Sequence, residues 1–186
     1  LFEAWINAGN NNTRTEVTQT YYDKPFTFAM AQNNLMKRVA SVTYEDVFDA
    51  NNNTFQHATH YSYDIHGNVK TLHQDNRFLQ DKLNWCDQGQ KHAYRLKTMH
   101  YRYDLISGLV REMRYQPHEK DQWIHYYTYD ADKRLTQVRT ATHDWEDKSL
   151  RENDARYYYY AHGPLARVEL GSQQVQGMDY FYNILG

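Results

Sequence analysis

The residues of this chain that could do chemistry are its aspartates, its histidines and its tyrosines. Asp64, Asp104 and Asp130 close three similar stretches, and two such carboxylates held roughly 5–10 Å apart in a cleft would suit acid/base work on a glycosidic bond. Each also has a plainer role, because Asp at the first position of a type I turn accepts hydrogen bonds from backbone N–H groups two or three residues on. The chain has 10 histidines, which raises metal ligation. The closest pair, His57 and His60, is spaced so that the two side chains leave opposite faces of a strand, whereas a closed zinc site needs three or four converging ligands. Tyrosine ladders can stack sugars or bases, yet cross-strand aromatic pairs stabilise sheets on their own account by about 0.2–1 kcal/mol each. The chain has no Gly-rich phosphate loop, no nucleophile elbow and no HExxH motif. Turn capping and packing account for these residues, so no catalytic, metal-binding or cofactor-binding residue is assigned.

Those residues are placed by one recurring element. In Tyr61-Ser62-Tyr63-Asp64-Ile65-His66-Gly67-Asn68-Val69, Tyr61 and Tyr63 alternate and share one strand face. Asp64 stops the strand, Gly67 takes the position where φ turns positive, and Val69 begins the return strand, which predicts a type I turn followed by a Gly bulge. Tyr101-Arg102-Tyr103-Asp104 leads likewise to Gly108, with one extra residue in the turn, and Tyr127-Thr128-Tyr129-Asp130 leads to Arg134-Leu135. Looser copies start at Thr20-Tyr21-Tyr22-Asp23, at Val42-Thr43-Tyr44-Glu45, at Tyr158-Tyr159-Tyr160 before Gly163, and at Tyr180-Phe181-Tyr182-Asn183. The acidic positions are 22, 19, 40 and 26 residues apart from Asp23 through Glu45, Asp64 and Asp104 to Asp130. The gap of 40 fits two periods with a degenerate copy near Trp85–Asp87, and a period of about 20 residues is one hairpin.

Strands are expected at 13–22, 35–44, 54–63, 69–73, 109–115, 123–129, 135–140, 155–160, 165–170 and 175–182, with the apolar face of the second formed by Met36, Ala40, Val42 and Tyr44. A bulge is expected near Lys97 or Thr98, where strand parity slips. Residues 45–53 read as a loop or a turn of helix, 80–91 as the weakest repeat, and 141–153 as a long polar connection. No window keeps a 3.6-residue apolar period over three turns. The fold class is therefore all-β, as consecutive antiparallel β-hairpins.

Composition agrees. Hydrophobic residues make up 40% of the 186, and 18 of the 29 aromatic residues are Tyr, which suits sheets wet on at least one side. Mean hydropathy is −0.97. The net charge of −2 is spread without a basic run, so nucleic-acid binding is not indicated. No apolar stretch reaches the ~18 residues of a spanning helix. The lone Cys86 excludes an intrachain disulfide framework. Beginning at Leu1 and ending inside a repeat, the sequence reads as a piece of a longer protein.

The Tyr-x-Tyr-Asp-x-x-Gly pattern resembles the YD repeats of RHS proteins, Tc-toxin C components and teneurins. Tyr61, Tyr63, Asp64 and Gly67, then Tyr101, Tyr103, Asp104 and Gly108, then Tyr127, Tyr129 and Asp130 carry the likeness, and looser copies extend it over nearly all of residues 1–186 as a single segment of about seven degenerate hairpins. The resemblance implies a curved, spiralling sheet that forms part of a shell. It implies a scaffold that encloses or presents a C-terminal toxin or other cargo, in a secreted or cell-surface parent. The partners would be the rest of the shell and that cargo. Family shells end in a self-cleaving region built on Asp-Pro motifs, and this chain has no Asp-Pro dipeptide, so that activity is not carried over. The alternative is a carbohydrate- or receptor-binding module of an adhesion-type protein, with a glycan or protein receptor as partner. A wall piece with open strand edges is also expected to self-associate.

Overall fold

A computed structural model describes residues 15–26, 31–47, 55–77, 79, 95–144 and 148–183. The expectations for residues 1–12, for residues 48–53 of the 45–53 loop, for the degenerate copy around Trp85–Asp87 and for Cys86 fall outside these. The chain divides into two compact units, Leu1–Thr98 and Met99–Gly186.

The first unit holds β1 (Thr15–Tyr22), β2 (Val39–Val47), β3 (His57–Tyr63) and β4 (Val69–Asn76). They pair antiparallel in sequence order. The second unit takes most of β5 (Leu96–Tyr103), then β6 (Val110–Tyr115), β7 (Trp123–Tyr129), β8 (Leu135–Ala141), β9 (Glu152–Tyr159), β10 (Leu165–Leu170) and β11 (Gln176–Asp179). Each strand from β6 to β11 again pairs antiparallel with the one before it. The described structure is all-β, as the alternation predicts, apart from a 3-10 turn at Lys148–Leu150 and helical backbone at Arg77, Leu79 and Arg95.

Several boundaries move. β2 starts at Val39, and Met36 is solvent-exposed, because Lys37 has φ +58° and cannot continue a strand. β2 then runs on to Val47, where a loop or helical turn was expected, and β4 runs through Asp75 and Asn76. Glu45 therefore lies inside a strand opposite Val17 and is no repeat corner. The described corners in the second unit, at Asp104, Asp130 and Tyr160, are 26 and 30 residues apart, longer than the period of about 20. The strand β5 is continuous through Lys97 and Thr98, and the register irregularity in its pairing with β6 lies at Arg102/Tyr103.

The buried face of the first unit is also the opposite of the one the apolar residues suggest. Ser41, Thr43, Glu45, Ala58, His60, Ser62, His73 and Asp75 are buried, while Val42, Tyr44, Tyr61 and Tyr63 are half-buried. The register lines up Ser41, His60 and His73 across three strands. Ser41 Oγ lies 2.7 Å from His60 Nδ1, and Thr98 Oγ1 lies 2.8 Å from His73 Nδ1. The buried Asp75 takes Arg95 through two bonds of 2.5 and 2.7 Å. Phe26 and Phe55 pack over His60, with ring centroids at 5.2 and 6.2 Å. A polar face is stable inside only because its groups find such partners. In the second unit Ile124, Tyr126 and Ala141 form an apolar cluster, flanked by the buried Glu112.

Candidate functional site

The repeated corner is the feature on which the motif residues converge. At Asp64, the Gly67 N–H donates to the Asp64 carbonyl at 3.2 Å and the Asp64 N–H donates to Asn68 O at 2.9 Å. Gly67 has φ +96°, so the predicted turn with a Gly bulge is present. The carboxylate caps it: Asp64 Oδ1 accepts from the N–H groups of His66 and Asn68, both at 2.9 Å. At Asp104 the extra residue widens the loop, and Gly108 (φ +72°) donates to Asp104 O at 2.9 Å. Asp104 Oδ1 accepts from the N–H groups of Ile106 and Ser107, and Oδ2 takes Arg111 at 3.0 Å. At Asp130 the non-Gly Lys133 does adopt φ +65°, and the carboxylate accepts from Arg134 N and Nε at 2.8 Å each.

These carboxylates are held ionised. At Asp64 and Asp130 desolvation pushes the pKa up, but hydrogen bonds from Asn68, His66 and Gly67 in one case, and from Arg134 in the other, outweigh it and leave both below the usual carboxylate range. The Ser107 N–H, with the Arg111 guanidinium, holds Asp104 well below that range. A general acid needs the opposite shift, so the corner aspartates are built as turn caps. His57 is exposed and His60 buried, on opposite faces as their spacing predicts. Among the described residues no group of three His, Cys, Asp or Glu could hold a metal ion.

Two of the looser copies are the same corner in disguise. In the β1–β2 hairpin the Asp23 N–H donates to Arg38 O at 3.2 Å, and Asp23 Oδ1 accepts from the Lys37 N–H. Lys37 thus stands where Gly67 stands, with residues 24–36 inserted between cap and return strand. In the β9–β10 hairpin Tyr160 occupies the aspartate position, since Gly163 N–H donates to Tyr160 O and Tyr160 N–H to Pro164 O, both at 2.9 Å. The ladder pair there is Tyr157 and Tyr159, one residue earlier than the sequence reading places it.

The sequence gives no sign of a second irregularity that all five hairpins share. One residue of each return strand is skipped in the pairing, namely Ala40, Lys70, Arg111, Thr136 and Ala166. Such a bulge leaves backbone groups outside the ladder, and the second tyrosine of the next motif uses one of them. Tyr63 OH donates to Val39 O, Tyr129 OH to Val110 O and Tyr159 OH to Leu135 O, each at 2.8 Å. In every case the acceptor is the residue just before the bulge of the preceding hairpin. Arginines at two corners add a second tie. Arg38 lies over the Tyr63 ring at 5.5 Å and against Gly67, and Arg134 lies over the Tyr159 ring at 4.7 Å with Nη1 3.5 Å from Gly163 O.

The first tyrosines behave less uniformly. Tyr61 stacks on Tyr63 (6.4 Å, 25°) and Tyr101 tilts on Tyr103 (6.5 Å, 31°), whereas Tyr127 stacks on His125 (6.2 Å, 12°). Residue types could have flagged the clamp only through the fixed adjacency of the second tyrosine to the corner.

Fold and corners together define sequential hairpins, and the tips at Tyr63, Tyr129 and Tyr159 are each bonded to the hairpin before them. No family model matches the chain, and no curated protein matches it. Among the described residues no helix is long and apolar enough to cross a membrane.

Proposed function

We propose that this chain is a wall segment of a YD/RHS-type hairpin shell, a scaffold that encloses or presents a C-terminal cargo in a secreted or cell-surface parent. The observation that carries the reading is the tyrosine clamp, repeated with one geometry at three corners, from Tyr63, Tyr129 and Tyr159 to the preceding bulge. Such a tie adds hairpin to hairpin without limit and gives each new hairpin its register, which is what a wall needs and a compact binding domain does not. The strand edges fit the same role. β1 and β11 each pair on one side only among the described residues, and every residue of β11 is exposed. Either edge can accept further hairpins. The glycan-binding alternative needs open aromatic faces, but Tyr61, Tyr63, Tyr101, Tyr103, Tyr127 and Tyr129 are all half-buried.

Sedimentation velocity over a wide concentration range tests this. The chain should self-associate, and Met178→Lys on β11 should weaken the association. A strict monomer at all concentrations refutes the edge argument. In the full-length gene product, limited proteolysis should leave the wall and the segment it encloses protected together. Rapid cleavage of the cargo with the wall intact would refute containment.

A further inference from the structure

A cleft of about 790 Å³ opens in the second unit beside the Asp104 corner. Five cations line it, Arg102, Arg111, Arg139, Lys148 and Arg151, against the single carboxylate of Asp104. Two of the five are answered. Arg111 pairs with Asp104 at 3.0 Å, and Arg102 pairs with the buried Glu112 at 2.8 Å. Glu112 is already shared with Arg114, which also pairs with Asp144 at 2.7 Å.

The other three make no ion pair among the described residues, although the pKa of Asp144, which Arg114 already holds down through its hydrogen bond, is lowered further by the charge of Arg151. Arg151 lays its guanidinium 3.6 Å from the Tyr126 ring, and its Nε is buried without a hydrogen-bond partner. Positive charge gathered in a concave site with low-dielectric walls focuses an attractive field on anions. The rim is apolar: Leu105 and Ile106, at 88% and 99% exposure, line the same cleft. Two aliphatic side chains held in water beside unanswered cations match a ligand that is acidic and apolar at once.

We propose that this cleft binds an acidic peptide segment. A carboxylate enters between Arg139, Lys148 and Arg151, where guanidinium groups can grip it with paired N–H donors. A neighbouring apolar side chain covers Leu105 and Ile106. A sugar would need a free ring face to stack on, and the three tyrosines lining the cleft already have ring or guanidinium neighbours: Arg151 lies on Tyr126, Tyr101 tilts on Tyr103 and His125 stacks on Tyr127. An inorganic anion would leave the aliphatic rim uncovered. The inference does not depend on the shell reading.

Fluorescence anisotropy on the full chain tests it, with a labelled peptide alternating Glu and Leu and a matched peptide of Gln and Leu. The Glu peptide should bind saturably and weaken with added salt, and the Gln peptide should not bind. Arg139→Glu and Lys148→Glu should each weaken binding at least about tenfold, with Leu105→Asp acting in the same direction. Lys148 is exposed, so its variant remains informative if Arg139→Glu disturbs the fold, which a melting curve would show. Equal binding of the two peptides, or an unchanged affinity in Lys148→Glu, overturns the proposal. So does a sulfated oligosaccharide or inorganic phosphate that binds the cleft in place of the peptide.

Discussion

His60 should make the first unit acid-sensitive well above the range where carboxylates titrate. Burial pushes its pKa down to about 4, with the repulsion of His73, Arg77 and Arg95 adding to the shift and Asp75 opposing it. Its Nδ1 faces Ser41 Oγ at 2.7 Å, and its Nε2 is buried with no hydrogen-bond partner. A second proton would place an N–H and a charge under Phe26 and Phe55, where no acceptor waits. In the unfolded chain the imidazole titrates near ~6.5. Between the two values the unfolded state binds more protons, so stability is complete above pH ~6.5 and is lost as pH falls toward 4. At ~1.4 kcal/mol per unit the ceiling is about 3 kcal/mol, and water penetration and side-chain relaxation bring the expected loss to about 2 kcal/mol. For a domain stabilised by ~5–15 kcal/mol that is a large fraction.

The assay is urea unfolding at about pH 7.5 and about pH 4.5, on either side of most of the window, for the native chain and for His60→Gln. Glutamine keeps a polar partner for Ser41 and does not titrate. The native chain should lose about 2 kcal/mol more than the variant across that interval. The corner aspartates do not confuse the reading. Their pKa values are depressed, so their contribution is present above the unfolded carboxylate pKa of ~3.9 and is lost only below it. His125, also lowered by burial, acts in the same direction but is untouched by the His60 substitution. Equal pH dependence in the two proteins, or an NMR titration placing His60 at an ordinary imidazole pKa, would refute the reasoning.

Three further outcomes follow from the corners. Tyr129→Phe strips the donor from Val110 O and should cost about 1 kcal/mol in chemical denaturation, while Tyr127→Phe, whose hydroxyl makes no such bond, should be near neutral. Equal losses would show that the clamp adds nothing beyond ring packing. Gly67→Ala should cost about 1–2 kcal/mol, because φ is +96° and the new Cβ would lie 2.7 Å from Arg38 Nη2. Gly108→Ala, at φ +72° with nothing within 4 Å, should cost less, and thermal melts that reverse this order would contradict it. Lys133→Gly should stabilise the β7–β8 hairpin by about 0.5 kcal/mol, since Lys133 sits at φ +65°, and a lower midpoint for that variant would tell against strain at this site.

The corners were legible because turn chemistry is local. Asp64, Gly67, Asp104, Gly108 and Asp130 each act within a few residues of themselves, and their types announce it. All-β architecture and sequential pairing were legible for the same reason. The strand faces were not. The apolar and aromatic side chains Val42, Tyr44, Tyr61 and Tyr63 share a face that is only half-buried, while Ser41, Thr43, His60, Ser62, His73 and Asp75 are the buried set. Which side of a strand is covered depends on distant residues such as Phe26, Phe55 and Arg95, and period-2 alternation cannot say what lies above it. Glu45 misled because an acid after a tyrosine looks the same in a strand as at a corner; only its pairing with Val17 distinguishes them.

The bulge was illegible for a deeper reason. The skipped residues Ala40, Lys70, Arg111, Thr136 and Ala166 share no chemistry, so backbone geometry rather than side-chain type selects the site. The corner fixes where the return strand begins, and the bulge falls on the second residue of that strand in each hairpin. The freed carbonyl then lies at a constant distance from the next tip, and a tyrosine immediately before the next cap reaches it at 2.8 Å each time. The motif thereby encodes two things at once. Its aspartate folds its own hairpin, and its second tyrosine sets the register of that hairpin against the one before. Insertions such as residues 24–36 are tolerated because they enter between cap and return strand and leave both contacts in place. A repeat with this division of labour can lengthen or decorate its loops freely while the tie between neighbouring hairpins stays the same.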